Sequence, residues 1–187
     1  MQNEAICLIP ADVSLTAQVA DFYTRNRAFL APYKPARTEK FFPPAYQRTL
    51  LLQEMRARRE RTAFRFYITP AGQPDRIIGA IGLSNIVWGA FCSAFLGYKL
   101  DEALQGRGYM TAPVTMVTEY AFQTLHLHRI EANVMPRSKA SLRILEKNGF
   151  YPEGLAKEYL KINGIWEDHI HMVKLATTPH QKSPPSL

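Results

Sequence analysis

The stretch LGYKLDEALQGRGYMT, residues Leu96–Thr111, predicts a strand that runs into a small-residue turn and then into a helix. Phe95–Leu100 is strand-like, and Gly97 within it marks a place where another backbone or a ligand approaches closely. The Gln-Gly-Arg-Gly segment then lets backbone N–H groups converge before a helix over Thr111–Thr124, which tolerates Pro113 in its first turn. Because free N–H groups and the positive end of a helix dipole attract phosphate, the turn is a predicted phosphate or pyrophosphate site.

The two glycines of this turn, Gly106 and Gly108, do not belong to the two commonest phosphate-binding motifs. No Gly-Lys-Ser/Thr follows them, so the turn is not a P-loop. The dinucleotide fingerprint Gly-x-Gly-x-x-Gly is incomplete, because position 111 is Thr. An ordinary tight turn fits the same glycines equally well, so other parts of the chain must decide. Arg107 between them adds a mobile positive charge.

Length and composition fit a single globular domain. Of 187 residues, 47% are hydrophobic and 21% are charged, and the net charge of +7 favours a polyanionic partner, either a phosphate-bearing cofactor or RNA. Cys7 and Cys92 lie far apart without a Cys-x-x-Cys pair, which fits a reduced, cytoplasmic protein. The sequence shows neither a signal region nor an apolar run long enough to span a membrane. We therefore predict one domain over residues 1–176 and a Pro- and Ser-rich disordered tail over residues 177–187.

Hydrophobic periodicity predicts an α+β fold, an α/β arrangement in three layers. Three consecutive strands joined by short turns, before residue 101, indicate an antiparallel meander. The helix that begins at Thr111 connects the third of these strands to another, so we expect those two strands to be parallel, with a right-handed crossover. Asn163-Gly164 predicts a tight hairpin. The predicted strands are 4–10, 63–69, 76–87, 91–100, 128–135, 150–160 and 166–175, and the predicted helices are 13–30, 45–61, 111–124 and 138–148, with Ser138 as the cap of the last.

A second informative stretch is Asn133–Phe150, in which Asn-Val-Met-Pro-Arg-Ser-Lys-Ala-Ser precedes a helix that ends in Asn-Gly-Phe. Together with Gln105-x-x-Gly108, it resembles the GNAT superfamily of N-acetyltransferases, whose acyl-coenzyme A loop reads Gln/Arg-x-x-Gly-x-Gly/Ala. Leu-Gly-Tyr at 96–98 and Asn-Gly-x-Trp-x-Asp-His at 163–169 are similar to the RimJ/RimL-type branch, the ribosomal-protein alanine N-acetyltransferases. Met110 departs from the superfamily loop, where Gly or Ala is usual, but that branch tolerates such a residue.

The resemblance implies the GNAT fold and acetyl-coenzyme A (acetyl-CoA) as the cosubstrate. The fold would be a mixed, mostly antiparallel sheet of about seven strands with a splayed parallel pair at its centre and about four helices. The pantetheine arm would lie along Tyr98–Leu100 like an added strand, and a backbone N–H of that strand would stabilise the oxyanion. The residues that the resemblance assigns to cofactor binding are Tyr98, Leu100, Gln105, Gly106, Arg107, Gly108, Tyr109, Met110, Thr111, Asn133 and Ser138.

Acetyl transfer from a thioester needs a proton donor for the departing thiolate, and the resemblance to the ribosomal branch points to Ser141 as the catalytic residue. Many members of the superfamily have a Tyr later in the same helix, where this chain has Leu145, which cannot donate. Ser141 lies about one helical turn earlier and projects near the same end of the cleft. The alternative is that Ser141 only bonds the backbone of its own helix.

No single general base stands out in the sequence. Some relatives in the superfamily carry an acidic residue at the position of Asn133, where this chain has an amide. Neither cysteine has a recognisable His partner, which argues against a covalent acetyl-cysteine step, and the His and Cys spacing gives no metal site. The weaker candidates, for which surface pairing or a structural role is the more ordinary use, are Glu102, Glu158, Asp168, His126 and His128.

The resemblance implies direct transfer, through a tetrahedral intermediate, to the N-terminal alanine of a ribosomal protein, in particular the fifth protein of the small subunit. An α-amine has a pKa near 8, so a weak base or an ordered water suffices. The aromatic loop 31–44 would form a wall of the acceptor site or simply pack onto the core. Two alternatives stay open: the same chemistry on a small amine such as an antibiotic or a polyamine, and a non-catalytic ribosome-associated or RNA-binding factor. A ribosome contact would involve Arg56, Arg58, Arg59 and Arg61, and the protein would be a monomer or a homodimer.

Overall fold

The computed structural model describes residues 1–177, which fold around a seven-stranded mixed sheet. The strands are β1 (Ile6–Pro10), β2 (Phe64–Pro70), β3 (Gly79–Val87), β4 (Ser93–Leu100), β5 (Arg129–Val134), β6 (Tyr151–Ile162) and β7 (Ile165–Leu175). The helices are α1 (Thr16–Arg25), α2 (Arg27–Leu30), α3 (Pro44–Arg59), α4 (Thr111–Glu119) and α5 (Lys139–Lys147). Within the sheet the strands follow the order β1-β2-β3-β4-β5-β7-β6.

The predicted topology of the sheet is confirmed. Strands β2, β3 and β4 form the antiparallel meander, and β4 and β5 are the parallel pair. The turn between β6 and β7 has both central residues at positive φ, 47° at Asn163 and 90° at Gly164. Two successive left-handed residues are typical of the two-residue hairpin that Asn-Gly predicts.

Asn26 breaks the first predicted helix, so the described residues contain five α-helices where about four were expected. Asn26 is buried, its Nδ2 donates to the Phe22 carbonyl oxygen at 2.9 Å, and its Oδ1 accepts from the Glu102 N–H at 2.9 Å. An Asn side chain that bonds nearby backbone competes with the helical ladder. The hydrogen bond with Glu102 also attaches the end of α1 to the segment that follows β4.

Apolar side chains cover both faces of the sheet, which gives the three predicted layers. On one face α1 and α3 pack through Val19, Phe22 and Leu51 against Tyr67 and Ala80 of the sheet. On the other face α4 and α5 bury a larger cluster against the even-numbered residues of β4 and β5; this cluster includes Ala94, Leu96, Val114, Val117, Ile130, Ala132 and Leu145. The burial of this much apolar area is the main stabilising contribution to the fold.

The parallel strands β4 and β5 pair over only three residues each, 93–95 with 129–131. Beyond Phe95, β4 continues to pair with β3, and β5 continues to pair with β7, but the two strands no longer bond to each other. One backbone edge of β4 from Leu96 to Leu100 therefore faces a gap in the middle of the sheet. The turn predicted to bind phosphate follows this edge in the chain.

The last helix begins and ends where the sequence predicts, but no side chain among the described residues caps its first turn. Gly149 has φ 77°, its N–H donates to the Glu146 carbonyl at 2.9 Å, and the Phe150 N–H donates to the Leu145 carbonyl at 3.0 Å, so the helix closes with a left-handed glycine. Ser138 occupies the position before α5, but its side chain makes no capping hydrogen bond. Ser138 is therefore the N-cap residue that the sequence predicted, but its side chain does not contribute to the cap.

The predicted bounds of the domain and of the tail depend on residues beyond 177, the last residue that the structure describes. Residues 178–187 lie outside the described residues, so the disordered tail over 177–187 and the domain over 1–176 stay predictions. Within residues 1–177, the helices are too short or too polar for any of them to cross a membrane.

Candidate functional site

The turn after β4 has the backbone shape of an anion-binding loop. Gly106 and Gly108 have φ angles of 74° and 78°, which strongly favour glycine. A Cβ atom built at either glycine meets nothing within 4 Å, so the space in front of both is open. The Thr111 N–H donates to the Gly108 carbonyl at 3.1 Å and closes the turn onto α4. An anion can therefore approach the backbone of this turn directly.

The N-terminus of α4 adds a helix dipole to the turn. No side chain among residues 1–177 caps this helix end, and Pro113 in its first turn has no N–H to satisfy. Met110, a predicted cofactor contact, has its side chain in the core at 3% exposure, so only its backbone is available to a ligand. Tyr109 is partly buried and packs against the same core.

Two polar side chains of the turn are available to a ligand. Arg107 is exposed, and it takes part in no ion pair within residues 1–177. Gln105 is exposed as well, and its Nε2 lies 3.4 Å from both the Leu100 and the Asp101 carbonyl oxygens, a distance at which hydrogen bonds are weak. Both side chains can reorient toward an anion at little cost.

Tyr98 of β4 and Ser141 of α5 bring two hydroxyl groups together beside the gap between β4 and β5. The Tyr98 hydroxyl lies 2.7 Å from the Ser141 Oγ and donates to the Ser141 carbonyl oxygen at 3.2 Å. Burial raises the pKa of Tyr98 to about 12, although the Ser141 hydrogen bond lowers it in part. Both groups are therefore neutral donors at pH 7. Leu145 is fully buried in the core, as its apolar side chain predicts.

The face of β5 that points away from α4 and α5 carries a polar cluster, of which the sequence interpretation had singled out only Asn133. Asn133 Nδ2 donates to the Tyr159 hydroxyl at 3.2 Å, and Glu131 Oε1 lies 3.0 Å from His171 Nδ1. Asn133 Oδ1 and His171 Nε2 are buried and have no hydrogen-bond partner within the described chain. An imidazole held by a carboxylate through one nitrogen leaves the other free to accept a proton. Period-two alternation along β5 and β7 was the signal that places these residues on one face.

The aromatic loop 31–44 forms both a wall and an anchor. Phe41 is 7% exposed and packs edge-on against Tyr23, with ring centroids 4.9 Å apart, whereas Tyr33 is 41% exposed. A cavity of about 200 Å³ lies between this loop and the end of β4. Lys99 of β4 and Asn163 of the β6–β7 hairpin also line it. The only acidic residue of the loop, Glu39, forms an ion pair with Arg27.

The predicted arginine cluster lies at the end of α3 and just beyond it. Arg56 bonds Glu60 at 2.7 Å, the local pair expected from their spacing, and the Arg61 guanidinium lies 4.5 Å from the Trp88 ring centroid. Arg58 and Arg59 are exposed. Arg58 and Arg59 are therefore open to solvent, whereas Arg56 is paired with Glu60 and Arg61 lies against Trp88.

The weaker candidates have ordinary structural environments. Asp168 accepts from Lys157 Nζ and from the Glu158 N–H, both at 2.9 Å, which lowers the pKa of Asp168. Within residues 1–177, no group of three or more His, Cys, Asp or Glu side chains is arranged to hold a metal ion. The exposed residues of this set are Glu102, Glu158, His126 and His128.

Comparison with protein families and curated relatives agrees with this geometry. The acetyltransferase (GNAT) domain model matches residues 8–151. A probable N-acetyltransferase of Bacillus subtilis, YjcK, is 38% identical over 169 residues, which cover 90% of this chain and 93% of the relative. The [ribosomal protein uS5]-alanine N-acetyltransferase of Escherichia coli is 38% identical over 164 residues, which cover 87% of this chain and 82% of the relative.

Two solved structures are similar over nearly the whole chain. The ribosomal-protein-S5-alanine acetyltransferase of Vibrio fischeri has a TM-score of 0.86 and 36% identity, and the match covers 94% of each chain. RimJ of Mycobacterium smegmatis, in complex with CoA-disulfide, has a TM-score of 0.86 and 26% identity, with 91% of this chain and 82% of that chain covered. The fold is thus shared with acetyltransferases, one of which was crystallised with CoA-disulfide.

Proposed function

The chain belongs to the GNAT N-acetyltransferase family, and on that premise we propose that its acceptor is the N-terminal α-amino group of a ribosomal protein that begins with alanine. The protein is an N-acetyltransferase that uses acetyl-CoA as its cosubstrate. Support for the acceptor comes from the relatives that act on ribosomal-protein alanine, which match most of this chain.

We assign cosubstrate binding to the turn after β4 and to the free edge of that strand. Bound acetyl-CoA supplies an activated acetyl thioester, and the chain's contribution is to hold and orient it. The turn 105–111, with Gly106 and Gly108 at positive φ and open space in front of both, suits a pyrophosphate, and Arg107 adds a cation. The unpaired edge at Leu96–Leu100 suits an extended chain of amides, which can bond to it as an added strand does.

The observation that carries the proposed chemistry is the hydroxyl pair of Tyr98 and Ser141, 2.7 Å apart where β4 has separated from β5. We assign Ser141 as the donor of a proton to the departing thiolate, with Tyr98 passing its own proton to Ser141 and regaining one from solvent before the next turnover. Because burial raises the pKa of Tyr98 to about 12, its hydroxyl stays protonated at neutral pH and can serve as the reserve donor.

The acceptor amine needs little help to lose its proton. An α-amine with a pKa near 8 is partly neutral at pH 7.5, so water ordered by Asn133 and the neighbouring Glu131–His171 pair can accept the proton. Transfer is direct in this proposal, because Cys7 lies on the edge strand β1 and Cys92 lies in the turn before β4, away from the hydroxyl pair. The acceptor approaches between the loop 31–44 and the hairpin at Asn163.

A polyamine is a poor fit for this acceptor side. The cavity beside β4 is lined by several cations, and Glu39, the acidic residue of the loop, is engaged by Arg27. A polycationic substrate would meet like charge there, which costs binding free energy. The charge of the cavity therefore favours a peptide over a polyamine.

The acceptor assignment predicts a clear order of rates in a panel of amines. With acetyl-CoA, we expect peptides that begin with alanine to be acetylated at least 100-fold faster than lysine side chains of blocked peptides, because an ε-amine with a pKa near 10.4 is mostly protonated at neutral pH. Mass spectrometry of each product measures the rates. Preferential acetylation of spermidine or of an internal lysine would refute the acceptor assignment and leave the cosubstrate assignment untouched.

We also propose that exposed Arg58 and Arg59 contact ribosomal RNA when the acceptor is part of a ribosomal particle. Exposed charges act over about one Debye length, roughly 10 Å at 0.1 M salt, so their contribution is screened by salt. We expect added salt to lower kcat/KM for a ribosomal particle more than for a short peptide. The double variant Arg58→Gln/Arg59→Gln should remove this difference, and an equal salt dependence in the wild type would rule the contact out.

A further inference from the structure

The cavity between the aromatic loop and the end of β4 has an unusual lining. It measures about 200 Å³ and includes four cationic side chains, from Arg27, Lys34, Arg37 and Lys99. Tyr23 and Phe41 supply aromatic walls. Arg27 is neutralised by its ion pair with Glu39. The other three cations form no ion pair within residues 1–177, so the cavity carries a net positive charge.

Aromatic rings hold two of these three cations in place. The Lys99 ammonium bonds the Tyr23 hydroxyl and lies 4.5 Å from the centroid of the Tyr23 ring. The Arg37 guanidinium lies 3.5 Å from the centroid of the Phe41 ring. Stacking of this kind orients a planar guanidinium and leaves its N–H groups free for an oxyanion. Lys34 and Lys99 are both partly buried, so their charges are less screened than those of surface lysines.

Burial and the neighbouring positive charges disfavour the protonated forms of Lys34 and Lys99. Burial and, second to it, the charge of neighbouring Lys99 together lower the pKa of Lys34 to about 8. Burial, followed by nearby Arg65 and Arg37, also lowers the pKa of Lys99 well below its usual value. An anion in the cavity would offset both effects, because it favours the protonated form of each lysine.

We propose that this cavity binds an anionic group of the acceptor, a carboxylate side chain located within a few residues of the amine that is acetylated. The inference rests on the proposed function and specifies the acceptor further. Arg37 offers the fork geometry that matches a carboxylate, and the two lysines add donors. An acidic residue near the N-terminus thus becomes a second determinant of the acceptor, after the small first residue.

The position of the cavity favours the acceptor over the cosubstrate as the source of the anion. Lys99 projects from β4 toward α1, whereas the adjacent Tyr98 projects toward α5 and contacts Ser141. The cavity is lined by the loop 31–44 and by Asn163 of the hairpin, and no residue of the turn 105–111 takes part in this described lining. Strand β4 therefore presents Tyr98, the partner of Ser141, on one face and Lys99 of the cavity on the other.

The test compares two peptides that begin with alanine and differ only by glutamate or glutamine as the third residue. We expect the wild-type kcat/KM to favour the acidic peptide about 10-fold, a typical effect of one charge-assisted contact. Lys34→Met and Arg37→Gln should each bring this ratio close to one. Arg48→Gln removes an equal charge from the exposed face of α3, outside the cavity, and should retain the full ratio. A wild-type ratio near one would overturn the proposal.

The pH dependence of the same ratio provides an independent check. Both peptides share the same α-amine, so its titration cancels in the ratio. The charged and titratable groups that act on Lys34 are Tyr23 of α1, Lys99 of β4, Arg65 of β2 and Arg37 of its own loop, and Glu54 of α3 acts on Lys99. Because Lys34 is protonated below a pKa of about 8, the ratio should fall as pH rises from 7 to 9. A ratio that is constant over this range would count against the cavity.

The remaining outcomes separate the possible failures. If the variants raise the KM for acetyl-CoA and leave the peptide ratio intact, the cations bind a cosubstrate phosphate and the proposal is overturned. If neither peptide is acetylated, the proposed acceptor fails, and a panel of small amines in matched carboxylate and amide forms takes its place. If the small amines that carry a carboxylate react faster than their amide forms, and Arg37→Gln removes this preference, the anion site is supported without the proposed acceptor. Equal rates for the carboxylate and amide forms would refute the anion site.

Discussion

Gly108→Asp is expected to abolish acetyl-CoA binding, with an affinity loss of at least about 100-fold. The glycine has φ 78°, which strains any other residue, but nothing lies within 4 Å of a Cβ position, so the new side chain meets no clash and occupies the space that the pyrophosphate needs. Its negative charge also repels the phosphates and opposes the dipole of α4. A 100-fold loss corresponds to about 2.7 kcal/mol, comparable to one or two charge-assisted hydrogen bonds.

Gly72→Asp is the matched control for this variant. Gly72 has φ 74°, nothing within 4 Å of its Cβ position, and a place in the turn between β2 and β3. It therefore introduces the same backbone strain and the same charge away from the proposed site. Calorimetry and the thermal shift produced by acetyl-CoA measure the difference, since a ligand stabilises the native state that binds it. Equal affinity in the two variants would show that the turn does not bind the cosubstrate.

Ser141→Ala is expected to lower kcat about 10- to 100-fold with little change in KM for acetyl-CoA. The hydroxyl is proposed to act on the departing thiolate, so its loss should affect the transition state more than the bound ground state. Folding should be nearly unaffected, because Tyr98 keeps its hydrogen bond to the Ser141 carbonyl. Thr118→Val removes a different hydroxyl from α4, one that donates to the Val114 carbonyl at 2.6 Å, and should leave kcat unchanged.

The double variant Tyr98→Phe/Ser141→Ala tests whether the two hydroxyls act as a unit. Their oxygens are 2.7 Å apart, so we expect the double variant to lose no more activity than the more damaging single variant. The rates must be measured under conditions in which chemistry limits turnover. Losses that multiply would assign the residues to separate steps, and an unchanged rate in Ser141→Ala would leave this serine with a structural role alone.

The fold was predictable where local sequence dictates backbone shape. Asn163-Gly164 and Gly149 adopt the positive φ angles that their residue types favour, so the hairpin and the end of α5 were foreseen. The parallel pair followed from a strand, a helix and a strand in succession. Asn26 was not foreseen as a helix breaker, because the contact that holds its side chain comes from Glu102, which is distant in the chain.

The site was predictable as segments and not as a set of contacts. The turn with Gly106 and Gly108 was evident from composition, but the bond between Tyr98 and Ser141 joins residues 43 positions apart. The cationic cavity was even less predictable from the sequence, since Lys34 and Lys99 come together only after the aromatic loop packs against β4. Neither lysine carries a local signature, because their effect depends on burial and on each other's charge.

The most direct test of the central claim uses a folded acceptor. The protein and acetyl-CoA are incubated with ribosomal protein uS5 that has a free N-terminal alanine, and tandem mass spectrometry maps any acetyl group. The proposed function predicts one acetyl group on the α-amine of that alanine, none on lysine side chains, and no reaction when the N-terminus is blocked beforehand. Acetylation of internal lysines, or a free α-amine left unmodified while small amines react under the same conditions, would contradict it.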